Sequence, residues 1–265
     1  MKKSNRILFS FLNLAGFIAT VVVNALATLL PINNKGTGEL SDQYPNLFVP
    51  AGLTFSIWGI IYILLGMFVV YQIIVAFKTN AAQRGIFEKI GILFFISSML
   101  NIGWIFAWHY EIVWLSLLLM LLLFASLLAI YLRLNIGRSE ATNMERIFVH
   151  IPFSVYLGWI TIATIANATA LLVDSGLKSL LPGEQFWAVV VIAVGIIIGL
   201  AMLFTRDDIY YNLVVDWALL GILLKRLGDT GTSSQGVIII TIIGLVLISA
   251  GIIVQLARRK WLYNR

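Results

Sequence analysis

Eight stretches of the chain are long and apolar: 7–30, 50–77, 86–108, 112–134, 147–172, 186–205, 210–226 and 236–257. A helix needs roughly 20 mostly apolar residues to cross the hydrocarbon of a bilayer. In that layer only helices and closed barrels satisfy their own backbone groups. A chain built from such runs is therefore expected to be an all-α polytopic membrane protein with eight spans. With 60% hydrophobic and 11% charged residues among 265, it carries more apolar surface than a soluble domain can cover. The seventh run is short and carries Asp216, and only His109–Glu111 separates the third from the fourth, which demands a tight hairpin. Met1–Arg6 and the apolar residues after it imitate a secretory signal. The run to Leu30 is longer than a signal core and no small-residue cleavage site follows, so it reads as a retained first helix.

Lys and Arg orient the bundle. With eight spans, fourteen of the eighteen fall on the side of the two termini and four, Lys35, Lys178, Lys225 and Arg226, on the other. The expected location is thus a bacterial cytoplasmic membrane with both termini cytoplasmic. The same bias explains the net charge of +6 without nucleic acid as a partner. The absence of cysteine excludes disulfides, thiolate metal sites and cysteine nucleophiles. With only His109 and His150, no His-rich metal site is expected. No nucleotide-binding loop, HExxH, nucleophile elbow or paired carboxylates occur, so catalysis by those routes has no support, and no cofactor is implied.

Three stretches stand out: Pro50–Tyr62 (PAGLTFSIWGIIY), Leu100–Trp108 (LNIGWIFAW) and Tyr156–Asn167 (YLGWITIATIAN). Trp58 and Tyr62 lie four apart, and Asn101, Trp104 and Trp108 follow at steps of three and four. Each set falls on one helical face. With the expected orientation, Trp58, Asn101, Trp104 and Asn167 share the outer half of the membrane with Thr20, Asn24 and Thr28 of the first span. Tyr62 and Trp159 come near the middle, and the turn-rich loop 31–49 lies above the band. Aromatic walls with a few hydrogen-bonding groups suit a flat, mostly apolar ligand. Other informative residues have blander explanations. Trp108, Trp114, Trp187 and Trp261 are expected as an interfacial belt. Asn24 is expected in an interhelical hydrogen bond, and Gly195 and Gly199 at a helix contact. His109 and His150 are expected in structural roles. Asp216 is the acidic residue well inside a span, a position that is costly and usually functional.

These three stretches resemble the TspO/MBR family, the tryptophan-rich sensory proteins that include the mitochondrial translocator protein. Pro50, Trp58 and Tyr62 match that family's second helix, with Gly52 in place of its early Trp and Thr54, followed by Phe55, at its Phe position. Asn101, Trp104 and Trp108 match the third helix. Tyr156, Trp159, Ala163 and Asn167 match the fifth, with Val155 at the family's Pro and Pro152 one turn earlier. The resemblance covers residues 7–172 and implies a five-helix transmembrane domain over 1–172 and a three-helix extension over 173–265. It implies a pocket for a porphyrin-like or sterol-like molecule, with Trp58, Tyr62, Asn101, Trp104, Tyr156, Trp159 and Asn167 as ligand-binding residues. The protein would act as a sensor, regulator or translocator, with membrane lipids around it. A homodimer is compatible with both the sequence and the resemblance. Two rival readings follow. One is an ion- or proton-coupled secondary transporter with Asp216 as the coupling residue. The other, implied by the resemblance, is a light-dependent porphyrin-degrading enzyme.

Overall fold

The computed structural model describes residues 2–29, 32–78, 85–176, 183–229 and 234–263, with side chains as far as Arg258. Lys178 and the rest of 177–182 in the expected domain-boundary loop, and the side chain of Trp261, lie outside the described residues.

Helices account for nearly all the described chain, and no strand occurs among the described residues. They are α1 (Lys3–Leu29), α2 (Thr37–Asp42), α3 (Ile57–Phe77), α4 (Gly85–Ile90), α5 (Leu93–His109), α6 (Val113–Leu134), α7 (Asn143–Glu145), α8 (Ile151–Asp174), α9 (Glu184–Arg206), α10 (Ile209–Leu227) and α11 (Gln235–Tyr263). Six helical segments are long and apolar enough to cross a membrane, and α5 is apolar but shorter. The remaining long helix, α10, carries Asp216, Lys225 and Arg226 within its 19 residues. The chain is an all-α polytopic membrane protein.

Two expected spans differ from the helices observed. The run 86–108 is not one helix. Gly91 adopts φ +52°, its N–H bonds back to the Phe87 carbonyl at 2.9 Å, and α4 ends there. A residue without Cβ takes the left-handed conformation at little cost, so the apolar run breaks while its hydropathy continues. The run 147–172 starts earlier, where Thr142 caps α7 through Glu145 N–H at 3.2 Å. Between Arg146 and His150 the helix widens to a π turn, which ends as Ile151 N–H bonds to the Arg146 carbonyl. Pro152 follows and has no N–H to give.

Helix α8 is central, packing on α3, α6 and α10, while α1 packs on α3 and α5, and α5 on α6. Phe68, Phe94 and Phe153 bolt α3, α5 and α8 together edge to face, with centroids 4.9–5.9 Å apart. Polar pairs add direction. Asn13 Nδ2 on α1 donates to Gln72 Oε1 on α3 at 3.1 Å, and Thr20 Oγ1 donates to the Ser98 carbonyl on α5. Helices α9, α10 and α11 pack on one another, and α10 joins them to α8. Gly195 faces Ile162 and Ile165 of α8, whereas Gly199 faces Asn212 and Val215 of α10 and Ile248 of α11. Both small residues thus lie at helix contacts.

The segment between α1 and α3 forms a lid. A 3-10 turn, Ile32–Asn34, leads to α2, and a second, Gly52–Ser56, leads into α3. His109, fully buried at the end of α5, holds the lid by both ring nitrogens. Nδ1 meets the Ile32 carbonyl at 3.0 Å and Nε2 meets Thr37 Oγ1 at 3.1 Å. A carbonyl only accepts, so Nδ1 carries a proton. Asn33 Nδ2 donates to the His109 carbonyl at 3.0 Å. Ion pairs Lys35–Glu111 and Lys225–Asp42 flank α2 within the lid.

Candidate functional site

Beneath the lid, α3, α5 and α8 bring their aromatic faces together. Trp58 is the hub. Its ring stacks on Tyr62 one turn on, with centroids 5.6 Å apart, and on Trp104 of α5 at 6.2 Å. Tyr156 and Trp159 of α8 meet it edge-on at 6.1 and 6.2 Å. The stack continues from Trp104 to Trp108 at 6.5 Å, and Tyr44 of the lid meets Trp108 at a tilt, 5.5 Å away. Burial, and then the negative charges of Glu111 and Asp174, hold the Tyr44 phenol above its ordinary pKa, so it stays neutral. Phe55 closes the other side, edge-on to Trp159 at 6.0 Å.

A cavity of about 50 Å³ lies among these rings. Its walls are Thr37 and Ser41 of the lid, Pro50, Phe55, Trp58, Trp104, Trp108, Trp159, Ile162, Ala163, Ala166 and Asn167. None of these is charged. Ala163 and Ala166 leave the room on α8 that a larger side chain would fill. Ligand pockets for drug-sized molecules are roughly 300–1,000 Å³, far more room than the rings leave between them here.

Of the seven residues expected to bind ligand, Trp58, Trp104, Trp159 and Asn167 line the cavity. The other three stand behind it. Tyr62 and Tyr156 back Trp58, while Asn101 is fully buried between helices, accepting from Asn24 Nδ2 at 2.8 Å and donating to Tyr156 Oη at 3.3 Å. Asn167 is also engaged: its Oδ1 accepts from Trp104 Nε1 at 3.1 Å and its Nδ2 donates to Ser116 Oγ at 2.8 Å. The polar groups therefore set the helices in register. Two buried groups in the cluster have no partner, Tyr62 Oη and Trp159 Nε1. An indole N–H only donates, so the site holds a free donor facing no acceptor.

Trp108, expected in the interfacial belt, is 6% exposed and lines the cavity, with its Nε1 donating to the Thr37 carbonyl at 3.4 Å. Its seven-residue spacing from Asn101 was the available signal. Trp114 is 62% exposed, as a belt residue would be. Thr37 and Ser41 gave no sign in the sequence, and Phe55 was visible only as the residue one place past the family's Phe position. Thr54, at the family's Phe position, turns the other way: it is buried against α10, and its carbonyl accepts from Trp217 Nε1 at 2.9 Å. This turn directs the next residue, Phe55, into the site. Gly52, at the family's Trp position, has open space around it. Asp216 does not line the cavity; it bonds Ser249 of α11. Among the described residues no three His, Asp or Glu side chains gather as metal ligands.

A sequence model of the family described as TSPO-like protein matches residues 10–254. The chain belongs to the TSPO-like family. The match runs past 172 into α9, α10 and α11, so it extends beyond the part that carries the sequence resemblance. No curated protein and no solved structure matches this chain.

Proposed function

We propose that this TSPO-like protein binds a flat, largely apolar ligand of porphyrin-like or sterol-like kind under the lid and acts as a sensor or translocator of it. The observation that carries the reading is the ring cluster around Trp58, uncharged, capped by a lid, and holding the unpartnered N–H of Trp159. A flat ligand would replace ring-on-ring contacts with its own faces. An acceptor on that ligand would meet the Trp159 N–H. The lid has to lift first, because the closed cavity holds only about 50 Å³. The five helices to residue 172 form the binding unit in this reading, and α9–α11 brace it. Both termini face the cytoplasm, on the charge bias given above.

Quenching of intrinsic tryptophan fluorescence by protoporphyrin in detergent tests the reading. Saturable quenching is expected in the wild type and weaker binding in Trp159→Ala, at equal folded fraction. Equal affinity in the two proteins would make the rings a packing cluster and nothing more.

A further inference from the structure

Asp216 lies half-buried on α10 where α10 meets α11, and its partner Ser249 is exposed. Ser249 Oγ of α11 donates to Asp216 Oδ2 at 2.9 Å, and Oδ1 is buried with no partner. One turn back on the same helix, Asn212 is fully buried, with its Oδ1 unpartnered and facing Gly199 of α9. Farther along the α9–α11 contact, Gln255 is 5% exposed and its Oε1 is also unpartnered. These three unsatisfied atoms are all acceptors. Buried polar atoms normally find partners, so a wedge with only spare acceptors lacks hydrogens.

Charge points the same way. Helix α9 has Glu184 and Arg206 at its two ends, with Asp207 at its C-cap accepting from Gln255 Nε2 at 2.7 Å; α11 has Arg258, Arg259 and Lys260 beyond its apolar part. Helix α8 has Asp174 at its end, and the Gly52–Ser56 turn has no charged residue. On α10 itself, Asp208 precedes the first residue and Lys225 and Arg226 stand in the last turn. Lys225 is nine residues from Asp216, about 13 Å along the axis. Tyr211 is bonded to Thr161 of α8 at 2.8 Å, and Tyr210 is in the same first turn of α10. Among the described residues no cation therefore meets the Asp216 carboxylate, and an unpaired charge at this depth is costly.

We propose that Asp216 is a proton-binding site, and that its protonation is transmitted to the aromatic pocket through α10. A proton on Oδ1 removes the charge and turns that spare acceptor into a donor. The route to the pocket is short. Trp217, the next residue, donates to the Thr54 carbonyl at 2.9 Å, and the Gly221 carbonyl accepts from Ala51 N–H at 2.9 Å. Both grips fall on the turn that sets Phe55 against Trp159. The proton site stands without the ligand reading; the link to the pocket is what deepens that reading.

The experiment is infrared difference spectroscopy of the full chain in lipid nanodiscs across a pH change. A protonated-carboxyl band that disappears as pH rises is expected in the wild type and absent from Asp216→Asn. In Ser249→Ala the band should move to higher wavenumber, because its carbonyl loses a donor. No titrating band, or the same band in Asp216→Asn, overturns the proton site. Near-ultraviolet circular dichroism, taken as the difference between each protein and its Trp58→Phe counterpart so that the signal of Trp217 itself cancels, then reads the tryptophan stack without any ligand. It should change with the same midpoint as the band, and in Trp217→Phe the band should persist while this change is lost. A dichroism signal indifferent to pH in the wild type, or unaltered coupling in Trp217→Phe, overturns the link. Failure of protoporphyrin to bind leaves both readouts intact, so the two readings fail separately.

Discussion

The cluster around Trp58 and the wedge around Asp216 are both polar spots inside an apolar bundle, yet what they lack is opposite. In the cluster, the unpartnered groups are a hydroxyl and an N–H, Tyr62 Oη and Trp159 Nε1. In the wedge they are the oxygens of Asn212, Asp216 and Gln255. The cluster has wide ring faces and a lid. The wedge has small residues, Gly199 and Ser249, and no cover beyond its own helices. A spare donor among rings calls for a flat molecule with an acceptor; spare acceptors in a narrow seam call for hydrogen.

The largest expected effect breaks the joint between the two regions. A Cβ at Gly221 would stand 1.9 Å from Thr54 Oγ1. Gly221→Leu should therefore push α10 off the Gly52–Ser56 turn and cost about 3 kcal/mol by overpacking. Thermal unfolding in detergent reads this, and an unchanged Tm would mean that α10 does not bear on that turn. Next comes the polar frame of the cluster. Asn101→Leu removes the bonds to Asn24 and Tyr156 and should cost about 1–2 kcal/mol of stability. Because Asn101 is walled off from the cavity, protoporphyrin affinity at equal folded fraction should stay the same; a large loss would place it in contact with ligand.

Smaller still is the donor itself. Trp159→Phe keeps an aromatic ring and removes the N–H, so binding of a ligand that uses it should weaken by about 1 kcal/mol. A titration series of porphyrins with and without peripheral carbonyls reads this, and an equal loss for both would deny the hydrogen bond. Smallest is the lid latch. Lys225–Asp42 is an exposed pair, with 28% and 62% of the two side chains accessible. Such pairs are worth about 0–1 kcal/mol. Lys225→Gln should change stability by no more than that while speeding ligand association in stopped flow. Unaltered association would show that the pair does not hold the lid.

Much of the bundle could be read from the residues. Long apolar runs announce helices because a membrane leaves the backbone no other open-ended choice. The run 86–108 misled because hydropathy is blind to one residue's φ, and Gly91 alone ends α4. The aromatic faces were visible through their spacing, but spacing says which side of a helix a ring is on, not what stands across from it. Trp108 looked like a belt residue because the lid that covers it comes from some 70 positions earlier. Asn101 looked like a ligand group because its partner Asn24 is 77 positions away. The role of Trp217 rests on a bond spanning 163 positions, for which no local pattern exists.

That long bond also bears on how the protein could be shortened. A chain ended at Gly176 would keep every helix that supplies a ring to the cluster. It would also leave the Ala51 N–H and the Thr54 carbonyl without the partners that α10 provides, and would turn the Thr54 side chain toward lipid. Any minimal version would need new residues at these positions, an apolar side chain for Thr54 first among them.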